Sequence, residues 1–179
     1  MTREQLEHLI RAAATLAEDD EIVVIGSQAI LGRYPEAPAA LLVSVEADLY
    51  PRHHVERADL IDGSIGEGSP FHETFGYYAH GVGPETAVLP PGWQERLVPI
   101  RNENTRGTLG LCLEPHDLVI SKHVAGREKD RAFTRTAAIH GLVRRDELLA
   151  RLATLDLDRQ RRKLVTAAIE RDFAPSTRG

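Results

Sequence analysis

The chain has 179 residues, 42% hydrophobic and 27% charged, which is enough apolar material for one core and an ordinary charge content for a globular protein. No run approaches the roughly 18 apolar residues of a membrane helix. A single cysteine, Cys112, excludes an intrachain disulfide and argues against a cysteine-built zinc site. The acidic, amphipathic N-terminal segment does not read as a signal or transit peptide, so a cytoplasmic protein with no membrane partner is expected.

The net charge of −5 conceals a division. Residues 1–120 carry 8 basic and 19 acidic side chains, and residues 121–179 carry 14 and 8. Such a basic region attracts anions, a triphosphate or nucleic acid among them, or is a solvated set of arginine-rich helices. Of the 22 basic residues only Lys122, Lys129 and Lys163 are lysines. Against that bias, a retained lysine hints at a place where a compact ammonium is preferred to a guanidinium fork.

In chain order, Leu6, Leu9, Ile10, Ala13 and Leu16 recur at helical spacing and predict an amphipathic helix over 3–18. The apolar run 22–25 predicts a buried strand, closed by Gly26-Ser27 and followed by a short helix over 28–32. Residues 41–50, between Pro38 and Pro51, predict the next strand, 54–61 a helix, and the glycine- and serine-rich 62–70 a loop. Strands are expected over 75–82 and 95–100, flanking a turn at Pro90-Pro91-Gly92, and over 108–113. Helices are then expected over 115–125, 128–140, 145–154 and 158–172. The organisation this predicts is α+β: a mixed-sheet core over 1–113 with flanking helices, a helical subdomain over 114–174, and a frayed tail over 175–179.

Three elements carry candidate chemistry. Gly26-Ser27, where a buried strand turns into a helix, offers backbone N–H groups, a hydroxyl and a helix N-terminus to a phosphate, or is a plain serine-capped turn. In Val43-Ser44-Val45-Glu46-Ala47-Asp48-Leu49, strand alternation puts Ser44, Glu46 and Asp48 on one face. Two carboxylates so placed repel unless they share a cation, and hard oxygen donors suit Mg²⁺; the alternative is an exposed edge strand with solvated acids. In Ser121-Lys122-His123-Val124-Ala125-Gly126-Arg127-Glu128-Lys129-Asp130, one unbroken helix would put Lys122, Lys129 and Asp130 on roughly one face, either to neutralise phosphates or as a salt-bridged surface, and Gly126 is the place where that helix would break.

Taken in order, this combination resembles the nucleotidyltransferase superfamily, the group of DNA polymerase β, over roughly residues 20–140. Leu113-Glu114-Pro115-His116-Asp117-Leu118, leading into the Lys122 segment, together with Leu89-Pro90-Pro91-Gly92-Trp93 and Arg96-Leu97, is similar to the bacterial AbiEii and MenT toxin-like branch and to related uncharacterised nucleotidyltransferases. The resemblance implies a mixed-sheet nucleotidyltransferase core and Mg²⁺-dependent transfer of a nucleoside monophosphate from a nucleoside triphosphate to an acceptor hydroxyl, on a tRNA 3′ end or a protein, with an antitoxin as a partner. It implies that Gly26 and Ser27 grip phosphates, that Glu46 and Asp48 hold the metal, and that Lys122 faces the triphosphate with Arg127 and Lys129 assisting. It also implies that Asp130 supports catalysis or orients a basic group, which makes Asp48, Lys122 and Asp130 the catalytic candidates. The first acid is glutamate where the family commonly has aspartate, and no third carboxylate is evident, Glu103 and Glu114 being the nearest candidates. A degenerate interaction module of the same fold, or an RNA-binding protein acting through its basic helices, is the alternative. The histidines show no zinc-binding spacing; His72 and His80 read as surface or pocket-lining residues.

Overall fold

The computed structural model describes residues 1–175, and the chain divides into two units: residues 1–87 with 94–114, and residues 88–93 with the chain from 115 onward. The first unit is built on a five-stranded mixed sheet, β1 (Glu21–Val24), β2 (Glu46–Pro51), β3 (Tyr78–Gly81), β4 (Val98–Ile100) and β5 (Leu109–Cys112), in the order β3-β2-β1-β5-β4. Central β1 runs antiparallel to β2 and parallel to β5. β2 runs parallel to β3, and β4 antiparallel to β5.

Helix α1 (Arg3–Ala17) begins in a capping box: the Thr2 hydroxyl accepts from Gln5 N–H, and the Gln5 side chain accepts from Thr2 N–H. Its apolar stripe, Leu6, Leu9, Ile10 and Ala13, is wholly buried. Gly110 of β5 lets it come close, because a methyl there would sit 2.6 Å from Ile10 Cδ1. The buried Glu7 fixes the turn before β5, its carboxylate accepting from Arg3 and Asn102 at 2.8 Å and from Asn104 at 2.9 Å. Burial works against ionisation of Glu7, but these donors outweigh it and hold the carboxyl below the usual range. Short α2 (Ile30–Arg33), α3 (Ala58–Ile65) and α4 (Pro70–Phe75) complete the unit. The second unit contains four helices among its described residues, α5 (Pro115–Ala125), α6 (Glu128–Ile139), α7 (Arg145–Thr154) and α8 (Arg159–Phe173).

Several expectations are corrected. The strand expected over 41–50 starts only at Glu46: residues 39–41 form a 3-10 turn, and Val43 and Val45 are 77% and 46% exposed instead of facing a core. The loop expected over 62–70 shrinks to 66–69. α3 runs on to Ile65, and α4 starts at Pro70 behind Ser69, whose hydroxyl accepts from His72 N–H. That helix takes the beginning of the strand expected over 75–82, and a 3-10 turn at Trp93–Arg96 takes the beginning of the one expected over 95–100. The tail expectation falls, from residue 176 on, outside the described residues. None of the helices among the described residues is long and apolar enough to cross a membrane.

Candidate functional site

Two groups of the sequence-predicted residues are assembled, one in each unit. In the first, β2 presents Glu46 and Asp48 on the same face while Ala47 and Leu49, on the other, are completely buried. The antiparallel register of β1 and β2 sets Asp48 beside the end of β1, where Ile25 N–H donates to the Asp48 carbonyl at 3.0 Å. The Asp48 side chain then lies over Gly26. A methyl on Gly26 would fall on the carboxylate, 2.7 Å from its Cγ and 2.9 Å from its Cβ. Glycine is therefore required at position 26 by a close approach and not by its dihedrals, since its φ of −78° is open to any residue. The glycine of the Gly-Ser turn and the second acid of the strand form one packed unit.

Beyond Gly26 the chain departs from expectation. A three-residue 3-10 turn (Ser27–Ala29) precedes the four-residue α2, so a long helix dipole does not stand behind this turn. The attraction for a phosphate here is limited to backbone N–H groups and the half-buried Ser27 hydroxyl. The neighbouring Gln28 is fully buried, and neither polar atom of its side-chain amide has a hydrogen-bond partner among the described residues.

The parallel strand β3 adds two residues that the sequence reading does not connect with the acids. In register, Tyr78 faces Glu46 and His80 faces Asp48. The Tyr78 hydroxyl donates to Glu46 Oε2 at 3.0 Å, and its ring packs on the His72 ring at 4.6 Å between centroids. Burial first, and then the Glu46 carboxylate, push this phenol up to about 12. The His80 ring stands between two acids, Nδ1 3.7 Å from Asp48 Oδ1 and Nε2 3.5 Å from Asp62 Oδ1. The usable signal is the spacing of two shared by Tyr78/His80 and Glu46/Asp48, which puts each pair on one face of its own strand; the pairing of the strands is not readable from sequence. Asp48 remains 32% exposed, so the acid pair is reachable from solvent.

In the second unit the local determinant is another glycine, Gly126. Its φ of +67° ends α5 and lets α6 restart at Glu128. The unbroken helix that would have aligned Lys122, Lys129 and Asp130 is thus absent. Lys122 and Asp130 meet across the break, Nζ donating to Oδ1 at 3.2 Å, and both are buried. Arg127 donates through Nε to Asp130 Oδ2 at 2.7 Å, and the Lys122 ammonium also lies 4.6 Å from the centre of the Phe133 ring. Burial opposes the Asp130 charge, yet the Arg127 hydrogen bond and the Lys122 ammonium hold its carboxyl below the usual range. Lys129 is exposed, outside this pair.

A third cluster, Asp19, Asp20 and His53, gathers donor atoms within 4.8 Å of one another. The Asp19 carboxylate accepts from the backbone N–H of Glu21, His53 and His54 and contacts the His53 ring, so its oxygens are used in holding the β1–β2 end of the sheet. Glu103 is exposed in the turn before β5, and Glu114 is the second residue after Cys112, at the end of β5.

A family model for nucleotidyltransferases of unknown function (DUF6036) matches residues 4–170. No curated protein and no solved structure matches the chain at a significant level.

Proposed function

Because the chain belongs to this nucleotidyltransferase family, we propose that it transfers a nucleoside monophosphate from a nucleoside triphosphate to an acceptor hydroxyl. The observation that carries the reading is the packing of Asp48 on Gly26, which sets an acid-x-acid strand directly against a glycine-serine turn. The donor set suits Mg²⁺: two carboxylates on one strand face, oxygen ligands only, the second of them partly exposed. Glu46 and Asp48 would hold the ion, which would neutralise charge on the phosphates.

The chain's own residues do the rest. Tyr78 fixes one oxygen of Glu46, which limits the freedom of an arm one methylene longer than aspartate. Backbone N–H groups at Gly26-Ser27 and the Ser27 hydroxyl bind phosphate oxygens. In the helical unit Lys122, oriented by Asp130, is the positive charge that the resemblance assigns to the triphosphate, with Arg127 and Lys129 assisting. The acceptor oxygen bonds to the α-phosphorus, the bond from that phosphorus to the bridging oxygen breaks, pyrophosphate leaves, and the hydroxyl proton passes to solvent. Positioning and charge neutralisation supply the rate, as in other phosphoryl-type transfers. The similarity to the AbiEii and MenT branch supports a tRNA 3′ end as acceptor, a protein hydroxyl being the other candidate, and an antitoxin as partner.

The test is transfer of labelled nucleotide to RNA or protein, alongside thermal unfolding with each nucleoside triphosphate, with and without Mg²⁺. Asp48→Asn is expected to abolish transfer while unfolding as cooperatively as the parent. An active Asp48→Asn protein sinks the role of that residue. Absence of Mg²⁺-dependent stabilisation by any triphosphate, where about 2.7 kcal/mol is expected at a hundredfold excess over Kd, supports the degenerate-module reading instead.

A further inference from the structure

The helical unit holds a cleft of about 290 Å³ whose lining includes Lys122, His123, Arg131, Thr134, Leu164 and Arg171. Three cations border it. In its lining the His123 side chain, with the residue only 8% exposed, has a buried Nε2 without a hydrogen-bond partner among the described residues. Such an atom normally finds a partner in protein or bound ligand. Asp172 Oδ2 lies 3.6 Å away, beyond hydrogen-bonding reach, and already accepts the Thr134 hydroxyl at 2.6 Å. Burial pulls the imidazole down to about 4, against the attraction of Asp172 and with the Arg171 charge adding to the fall. The ring is therefore neutral at neutral pH, and one of its nitrogens carries a proton to donate. Lys122 is paired with Asp130, and Arg131 and Arg171, both exposed, bring two further positive charges to the lining. Leu164, 64% exposed, adds an apolar wall.

We propose that this cleft is a phosphate-binding subsite, in which His123 Nε2–H and the Arg131 and Arg171 guanidiniums receive one phosphate group of a nucleotide. An anion satisfies the orphaned nitrogen and meets the two arginines, whose combined charge exceeds that of the nearby Asp172 carboxylate. That the phosphate belongs to a nucleotide rests on the transferase reading; the affinity for phosphate does not.

The experiment tracks the ring nitrogens of His123 by NMR in ¹⁵N-histidine-labelled full-length protein. Inorganic phosphate, adenosine 5′-monophosphate and a short single-stranded oligoribonucleotide are titrated in turn. The His123 Nε2 resonance is expected to move saturably with phosphate and with at least one nucleotide. Arg131→Gln and Arg171→Gln, both at exposed positions, are each expected to weaken binding about tenfold. His123→Gln assigns the resonance, and the arginine variants keep the test alive if that protein does not fold. Response to the monophosphate alone identifies a free nucleotide as the source, and response to the oligomer identifies a strand. No movement with any of the three probes, or unchanged affinity in both arginine variants, overturns the subsite. Asp48→Asn is expected to leave this titration unchanged. In the parent protein, absence of Mg²⁺-dependent triphosphate binding together with a saturable phosphate titration would sink the transferase reading and spare the subsite.

Discussion

Replacing Gly26 with alanine tests whether the glycine exists to seat Asp48. Its backbone, φ −78° and ψ −170°, is one that alanine adopts without strain. On backbone grounds alone the change would stabilise the protein by about 0.4–1 kcal/mol through the unfolded chain. The added methyl, however, would lie 2.7 Å from Asp48 Cγ and 2.9 Å from its Cβ, where a relaxed carbon–carbon contact is about 3.5–4.0 Å. Something must move by roughly 1 Å, and overfilling of this kind costs about 1–3 kcal/mol. The net expectation is a loss of about 1–2 kcal/mol, or a fall in Tm of about 2–8 °C for a chain of this size. Displacing the carboxylate by that distance should also lower transfer about a hundredfold. Thermal unfolding and the transfer assay read both effects. Asp48→Gly should relieve the clash in the double variant, so that the two changes are non-additive by at least about 0.5 kcal/mol. A Gly26→Ala protein as stable and active as the parent, or strictly additive effects, refutes the argument.

Asp117 at the start of α5 is fully buried and pairs with Arg151 at 2.8 Å. Asp117→Ala takes a carboxylate from a largely buried guanidinium whose other carboxylate, Glu147, is partly exposed, so a loss of about 3 kcal/mol is expected in urea unfolding; less than about 1 would contradict it. Acid should destabilise the sheet unit. Burial alone would raise the Glu7 and Asp19 carboxyls, but the Asn104, Asn102 and Arg3 donors for the first, and the His53 ring with backbone N–H groups for the second, hold both low. A lowered native value means that the stabilisation is complete above the ordinary carboxylate range, roughly pH 4 to 4.5, and is lost as pH falls through the native values. Stability measured against pH should decline there, and Glu7→Gln should flatten the decline; an unchanged slope counts against it. The Cys112 thiol, pushed up to about 12 by burial, should resist aromatic disulfide reagents at mildly alkaline pH until the protein unfolds. Prompt labelling of the native protein would show that β5 opens.

The helices of the second unit are the most legible part of the sequence. Pro115 at a helix start and Gly126 at a helix end are local signals that need no tertiary partner. The start of β2 is misleading because Val43 and Val45 alternate like strand residues, yet hydrophobicity does not say whether a face is covered, and both are exposed. α4 hides in a stretch dominated by glycines and serines, where Ser69-Pro70, a capping residue followed by a proline, is the signal to weigh. The acid pair is visible from a period of two. Its packing on Gly26 is not, because that depends on β1 and β2 meeting across the intervening chain. Tyr78 and His80 need the register of β3. Lys122 and Asp130 do meet, but through the left-handed turn at Gly126 and not along a helical face.

The order of strands also bears on how the molecule comes into being. β1 lies between β2 and β5, and its partners in β5 are far along the chain, Glu21 opposite Leu109. The helices of the second unit contact one another across shorter stretches of chain than β1 and β5 do, and such contacts form on faster timescales than distant strand pairings. Loop closure must precede the β1–β5 ladder, and Asp48 reaches its place only when β1 is itself anchored. A refolding chain would therefore hold finished helices before it holds a finished acid pair, and the carboxylates that the transfer reading depends on would be among the last groups to be set.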